Sequence, residues 1–220
     1  MKRSYTTVFF DLDGTILDTC SSILGSLRIT TRKVLGRVIP DEVLIAKVGQ
    51  PLITQIESFT ATPEERDAVL AAYRQHNEVN LNEKIQPFEG IGKTVDELRD
   101  AGFRTGVVTS KRRSIAESSL AYFGLRERFE CLVGLEDTAN HKPHPEPLFK
   151  AAELLRVPLV ECVYVGDSPY DMQAAHAADI PCIGVTWGEF FSRPVLEAEN
   201  PTILVDKPTE IPSALSRIVR

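Results

Sequence analysis

Two aspartates one residue apart, Asp11 and Asp13, follow the short apolar run Thr7-Val8-Phe9-Phe10 and precede Gly14. Carboxylates at i and i+2 on an extended segment can both face one crevice while Leu12 points away, with Gly14 letting the chain turn. Such a pair suits phosphoryl transfer, one carboxylate as nucleophile and the other as proton donor to the leaving oxygen. An Asp-Gly pair also reads as an ordinary turn.

Three further groups of chemistry-bearing residues recur along the chain. Thr109-Ser110-Lys111 follows an apolar run and precedes a helical pattern, which reads either as an N-cap or as an anion site at a helix start. His141-Lys142-Pro143-His144-Pro145 places one lysine in a stiff loop, where it either neutralises phosphate or stays exposed. His141 and His144 have no neighbours that complete a zinc shell and read as surface histidines. Gly166-Asp167-Ser168-Pro169-Tyr170-Asp171 sets Ser168 at an N-cap, Pro169 at N1 and Asp171 at N3. Asp171 there reads either as a mere cap that complements the helix dipole or as a further carboxylate of the site. Asp167, an acid at the end of a buried strand, asks for a partner such as magnesium.

These groups need elements to position them. Strand-like runs are expected at 7–10, 103–108, 131–134, 162–165, 182–185 and 203–205, with helical patterns at 91–101, 114–123, 146–155 and 172–178. Continuous apolar strands alternating with helices predict an α/β fold, a doubly wound parallel sheet whose strand-end loops converge in one crevice. Roughly 90 residues separate the first strand from the second, about three times the length of a simple crossover. That stretch reads as helix at 21–35, 41–46, 51–59 and 63–79. Its division is therefore expected as a core of residues 1–18 and 86–220 and an inserted helical cap of residues 19–85.

Bulk properties narrow the partner. The 220 residues carry a net charge of −6, and residues 19–85 are neutral, with 8 basic and 8 acidic side chains. The acidic remainder disfavours nucleic acid or an anionic membrane surface and calls for a cation if the ligand is an anion. Four separated cysteines without a CxxC pair predict a reduced, cytoplasmic protein. No apolar leader-like or membrane-spanning run is read.

Taken together, the four groups resemble the motifs of the haloacid dehalogenase superfamily, in the subgroup with a helical cap after the first motif. The resemblance covers essentially the whole chain. It implies that Asp11 is the nucleophile forming an aspartyl-phosphate and Asp13 the acid and base. It implies Mg²⁺ as cofactor, held by Asp11, Asp167 and the Asp13 backbone carbonyl, with Asp171 beside them. It implies a phosphate grip by Thr109, Lys142 and the backbone amides of Leu12 and Ser110. In the cap, Lys47-Val48-Gly49-Gln50-Pro51-Leu52 resembles the loop that leans over the site, so Gly49 and Gln50, and more weakly Arg74, are expected substrate contacts. Cys20 reads as packing.

Asp13 argues against a true dehalogenase, which generally lacks it. Ile23 stands where the hexose-phosphate mutases have a histidine, and the cap shows no lysine for phosphonate cleavage. The expectation is thus a phosphatase for a small phosphorylated metabolite, as a monomer or homodimer. Two groups compete, the phosphoglycolate phosphatases, which are preferred, and the pyrophosphatases associated with serine-kinase regulation. The remaining alternatives are phosphosugar mutation and non-catalytic phosphate sensing.

Overall fold

The computed structural model describes residues 5–80 and 84–218; the first four residues, read above for a leader, lie outside them. Six parallel strands form the main sheet: β1 (Thr7–Phe10), β4 (Arg104–Val108), β5 (Cys131–Val133), β6 (Cys162–Gly166), β7 (Cys182–Val185) and β8 (Ile203–Val205). Their spatial order is β5-β4-β1-β6-β7-β8, so β1 lies between the strands that carry the second and fourth groups. The doubly wound parallel sheet expected from the sequence is present, and its strand boundaries shift by a residue at most.

Alternation within each strand builds two apolar layers. Val8 and Phe10 pack with Val163, Val165, Leu98 and Leu120 on one face. Phe9 packs with Tyr164, Leu148 and Met172 on the other. Both faces are buried, so the strands read as unbroken apolar runs. Flanking the sheet are α5 (Ile91–Asp100), α6 (Arg113–Tyr122), α7 (Glu146–Leu155) and α8 (Pro169–Ala177), with α9 (Arg193–Ala198) and α10 (Ile211–Arg217) near the end.

The long segment after β1 is helical. Its elements are α1 (Cys20–Leu35), α2 (Asp41–Ile45), α3 (Leu52–Glu57) and α4 (Pro63–Asn80). They bury a cluster of their own around Leu27, Leu44, Ile56, Val69 and Leu70. Thr30 and Thr31, buried in α1, return their hydroxyls to the carbonyls of Ser26 and Leu27, each at 2.7 Å. Gly36 ends α1 in the left-handed region, its N–H on the Arg32 carbonyl. Thr62 accepts the Glu65 amide at 3.2 Å and Pro63 opens α4, as its sequence predicts.

A two-stranded antiparallel ladder, β2 (Leu17–Asp18) with β3 (Gln86–Pro87), carries the chain into the helical segment and out of it. Leu17 pairs with Pro87 and Asp18 with Gln86. Such short runs have no readable periodicity, and the sequence reading did not contain them.

Candidate active site

The end of β1 fixes the two aspartates. The Asp11 amide donates to the Val165 carbonyl at 2.9 Å, tying it to the end of β6. Leu12 is fully buried in the sheet's core, whereas Asp11 and Asp13 line a cavity of about 400 Å³. Gly14 takes φ 81°, and a Cβ there would lie 2.0 Å from Asp167 Oδ2. The turn therefore needs glycine for its backbone and for the room it leaves to Asp167. Thr15 donates its hydroxyl to Asp167 Oδ1 at 3.1 Å.

Behind this turn lies a buried ionic cluster. Asp11, Asp167 and Asp171 each offer a carboxylate oxygen within 4.8 Å of the others. Lys142 is 2 % exposed, so the exposed alternative for this loop does not hold. Its Nζ stands 2.6 Å from Asp171 Oδ1, 3.1 Å from Asp11 Oδ1 and 3.2 Å from the Tyr164 hydroxyl. Asp171 Oδ2 accepts from the Ser168 amide at 3.0 Å and from its hydroxyl at 2.6 Å, completing the capping box of α8. Both oxygens of Asp171 are thus occupied. Asp11 Oδ1 shares the same ammonium, at 3.1 Å.

The electrostatics follow from that count of charges. Burial pushes the Asp11 carboxyl up to about 7; Lys142 opposes the shift, and Asp171 and Asp13 add to it. Burial also drives Asp167 well above the usual carboxylate range, helped by Asp171 and Asp11. For Lys142 burial works against the charge, but Asp11 and Asp171 outweigh it and its pKa is raised. One ammonium does not balance three buried acids. The excess of buried carboxylates over cations, with Asp11 and Asp167 both held towards the protonated form, fits a hard, oxygen-seeking dication such as Mg²⁺.

The other expected residues surround the same cavity. Thr109, buried at the end of β4, donates its amide to the Val133 carbonyl at 2.9 Å. Ser110 reaches across with its hydroxyl to the Gly49 carbonyl at 2.7 Å, and Tyr170 with its own to the Ala46 carbonyl at 3.0 Å. The loop after β4 and the first turn of α8 thereby hold the segment that joins α2 to α3. Gly49 has φ 99°, and a Cβ on it would lie 2.6 Å from Ser168 Oγ. Gly49, Gln50 and Arg74 all line the cavity, Arg74 from an exposed position on α4. His141 and His144 stay outside the acid cluster; His144 Nδ1 accepts the Glu146 amide at 3.1 Å. Cys20 is half-buried, and all four cysteines are free.

Several participants were not singled out from the sequence. Lys111 Nζ lies 2.7 Å from Asp13 Oδ1. Tyr164 sits mid-strand in β6 and donates its hydroxyl to the Val108 carbonyl at 2.9 Å, or to Asp171 at 3.0 Å. After β7, Trp187 donates its indole N–H to the Thr15 carbonyl at 3.1 Å. A Cβ on the adjacent Gly188 would lie 2.4 Å from the Gly14 carbonyl oxygen and 2.6 Å from Asp167 Oδ2. The available signal was position: Thr186-Trp187-Gly188 leaves a fifth strand end of the same sheet. Thr19 also lines the cavity, with a buried hydroxyl lacking a partner among the described residues.

Residues 8–185 match the family model described as haloacid dehalogenase-like hydrolase. The chain belongs to this family. Among full-length relatives, a candidate PpaX pyrophosphatase of Caldanaerobacter subterraneus subsp. tengcongensis is 39% identical over 201 residues, spanning 91% of this chain and 90% of that protein. The pyrophosphatase PpaX of Bacillus mycoides (strain KBAB4) is 33% identical over 212 residues, spanning 96% and 97%. A predicted phosphatase from Clostridium acetobutylicum shares the fold at TM-score 0.86 and 27% identity, over 97% of this chain and 99% of that one. A predicted phosphoglycolate phosphatase from Haemophilus somnus superposes at TM-score 0.87 and 20% identity, over 97% and 99%, a likeness of fold. The chain is therefore a hydrolase of the haloacid dehalogenase-like family, of the phosphatase kind.

Proposed function

We propose that this hydrolase releases phosphate from a small phosphorylated compound through an aspartyl-phosphate on Asp11, with Mg²⁺ as cofactor. The observation that carries the reading is that Asp11 and Asp13 line one cavity, with the buried Lys142 ammonium 3.1 Å from Asp11 and the Asp167 carboxylate beside it. Asp11 attacks phosphorus as the bond to the leaving oxygen breaks, and Asp13 delivers a proton to that oxygen. Water then attacks the phosphorus of the aspartyl-phosphate and yields its proton to Asp13, which restores the Asp11 carboxylate and frees phosphate.

Thr109, Lys142 and the amides of Leu12 and Ser110 hold the phosphoryl oxygens, and positioning with charge neutralisation supplies most of the acceleration. Asp11 and Asp167, with the Asp13 carbonyl, would hold Mg²⁺, which when bound offsets the charge of the phosphoryl group. Asp171, with both oxygens occupied, serves by holding Lys142. In this reading residues 19–85 form the cap and Gly49, Gln50 and Arg74 meet the substrate.

Two substrates deserve direct comparison. Pyrophosphate is favoured by the PpaX relatives that span the chain. Phosphoglycolate, preferred from the motifs, is supported by solved structures named as candidate phosphoglycolate phosphatases, at 20% and 25% identity. The test is phosphate release from p-nitrophenyl phosphate, pyrophosphate and 2-phosphoglycolate, with and without Mg²⁺. Asp11→Asn is expected to lower turnover by about a thousandfold or more. Equal turnover in that variant defeats the nucleophile assignment, and no turnover in the parent points to a sensor. Isomerised hexose phosphate in place of free phosphate indicates a mutase.

A further inference from the structure

Lys111 is held at both ends. Its amide lies 3.3 Å from the Thr109 hydroxyl oxygen, its carbonyl accepts the Leu135 amide at 2.9 Å, and its Nζ stands 2.7 Å from Asp13 Oδ1. The backbone bonds lock the residue in register with Thr109, and both charged side chains are largely buried. Arg112 and Arg74 line the same cavity, and neither has an ion-pair partner among the described residues. The acids of the lining, Asp11, Asp13 and Asp167, leave the ends of β1 and β6. The cations Lys111 and Arg112 leave β4, and Arg74 comes from the helical segment.

A substrate whose phosphorus meets Asp11 must bring its leaving group to Asp13, and hence to the ammonium that Asp13 holds. An uncharged leaving group cannot compete for that ammonium and leaves the ion pair closed. A leaving group with its own negative charge can take the ammonium over. One anion then replaces another, so the ammonium gains no new burial cost. Asp13 is set free towards the bond that breaks.

We infer that Lys111 is a specificity-determining residue that exchanges the Asp13 carboxylate for a second anionic group on the leaving side of the substrate. The preferred substrates are therefore phosphoryl compounds whose leaving group is itself anionic, a phosphate or a carboxylate. The inference rests on the phosphohydrolase reading above.

The experiment compares kcat and KM of the parent, Lys111→Met and Lys111→Arg on pyrophosphate, 2-phosphoglycolate and p-nitrophenyl phosphate, whose aryl group carries no charge of its own. In Lys111→Met, kcat/KM is expected to fall about tenfold or more further on an anionic substrate than on p-nitrophenyl phosphate, chiefly through KM, with Lys111→Arg recovering part of it. The arm that falls tells phosphate from carboxylate. A loss by the same factor on all three substrates overturns the inference. Lys111→Gln, read in the same way, replaces a Lys111→Met that does not fold. Turnover of none of the three by the parent with Mg²⁺ defeats the phosphohydrolase reading, whereas turnover with an unaltered substrate ratio in the variants defeats only the role of Lys111.

Discussion

The Lys142 ammonium and the Asp171 carboxylate, delivered by different strand ends, meet at 2.6 Å with almost no solvent on either side chain. A buried pair of this kind costs most when one member is removed, because the other keeps its charge without compensation. Asp171→Ala is expected to lower stability by about 3–5 kcal/mol. In urea unfolding, the double variant Asp171→Ala/Lys142→Met should lose clearly less than the sum of its single variants. Additive losses contradict the coupling.

Asp11 makes metal-free stability depend on pH. Its carboxyl rises from 3.8 to about 7 on folding, chiefly through burial. Below the lower value both states hold the proton, and the contribution is complete. Between the two values only the folded state keeps the proton, so stability falls as pH rises, and above the upper value the contribution is gone. The slope is at most about 1.4 kcal/mol per pH unit for one proton. Melting temperatures in EDTA should decline over that window, and saturating Mg²⁺ should remove the decline. Parallel curves with and without metal would sink this account.

Gly188→Ala tests how Asp167 is kept in place. The new methyl presses on the Gly14 carbonyl and on Asp167 Oδ2. Displacing a ligand's support typically costs about 10–100-fold in metal affinity. The Mg²⁺ concentration for half-maximal activity should rise by that order, with far-ultraviolet dichroism preserved. An unmoved Mg²⁺ requirement rules out the support role.

Tyr164→Phe keeps the ring and removes the hydroxyl that contacts Lys142, Asp171 and the Val108 carbonyl. Leaving such groups unsatisfied costs about 1–3 kcal/mol. Thermal melting should register that loss, and kcat should fall more than KM rises, because the buried hydroxyl meets Lys142 and Tyr164 is not among the residues that line the cavity. A change confined to KM argues for direct contact instead.

The strands were legible because both faces of the sheet are buried, which leaves unbroken apolar runs ending at Asp11, Thr109 and Asp167. The Ser168–Asp171 capping box was readable for a different reason, since its chemistry is local. Lys142 was only half-readable. Its loop shows the residue type, but whether the ammonium is exposed depends on Asp11 and Asp171 arriving from elsewhere. Tyr164 was hidden among core aromatics, since a strand pattern does not say which buried phenol meets a lysine. Lys111 stood in a quoted triplet, but nothing in its neighbourhood points to Asp13, 98 positions away. Gly188 carries no side chain, and the closeness of its backbone to Gly14 and Asp167 exists only once β7 is placed in the sheet.

The ladder that pairs Leu17 with Pro87 and Asp18 with Gln86 makes the entry and exit of the helical segment adjacent, about 5 Å apart as in any strand pair. A piece whose two ends nearly touch imposes no length on the body that carries it. Its further hold on the sheet is local, through Ser110 on the Gly49 carbonyl and Tyr170 on the Ala46 carbonyl. The aspartates, and the Lys111 ammonium that faces Asp13, lie on the sheet's side of that seam.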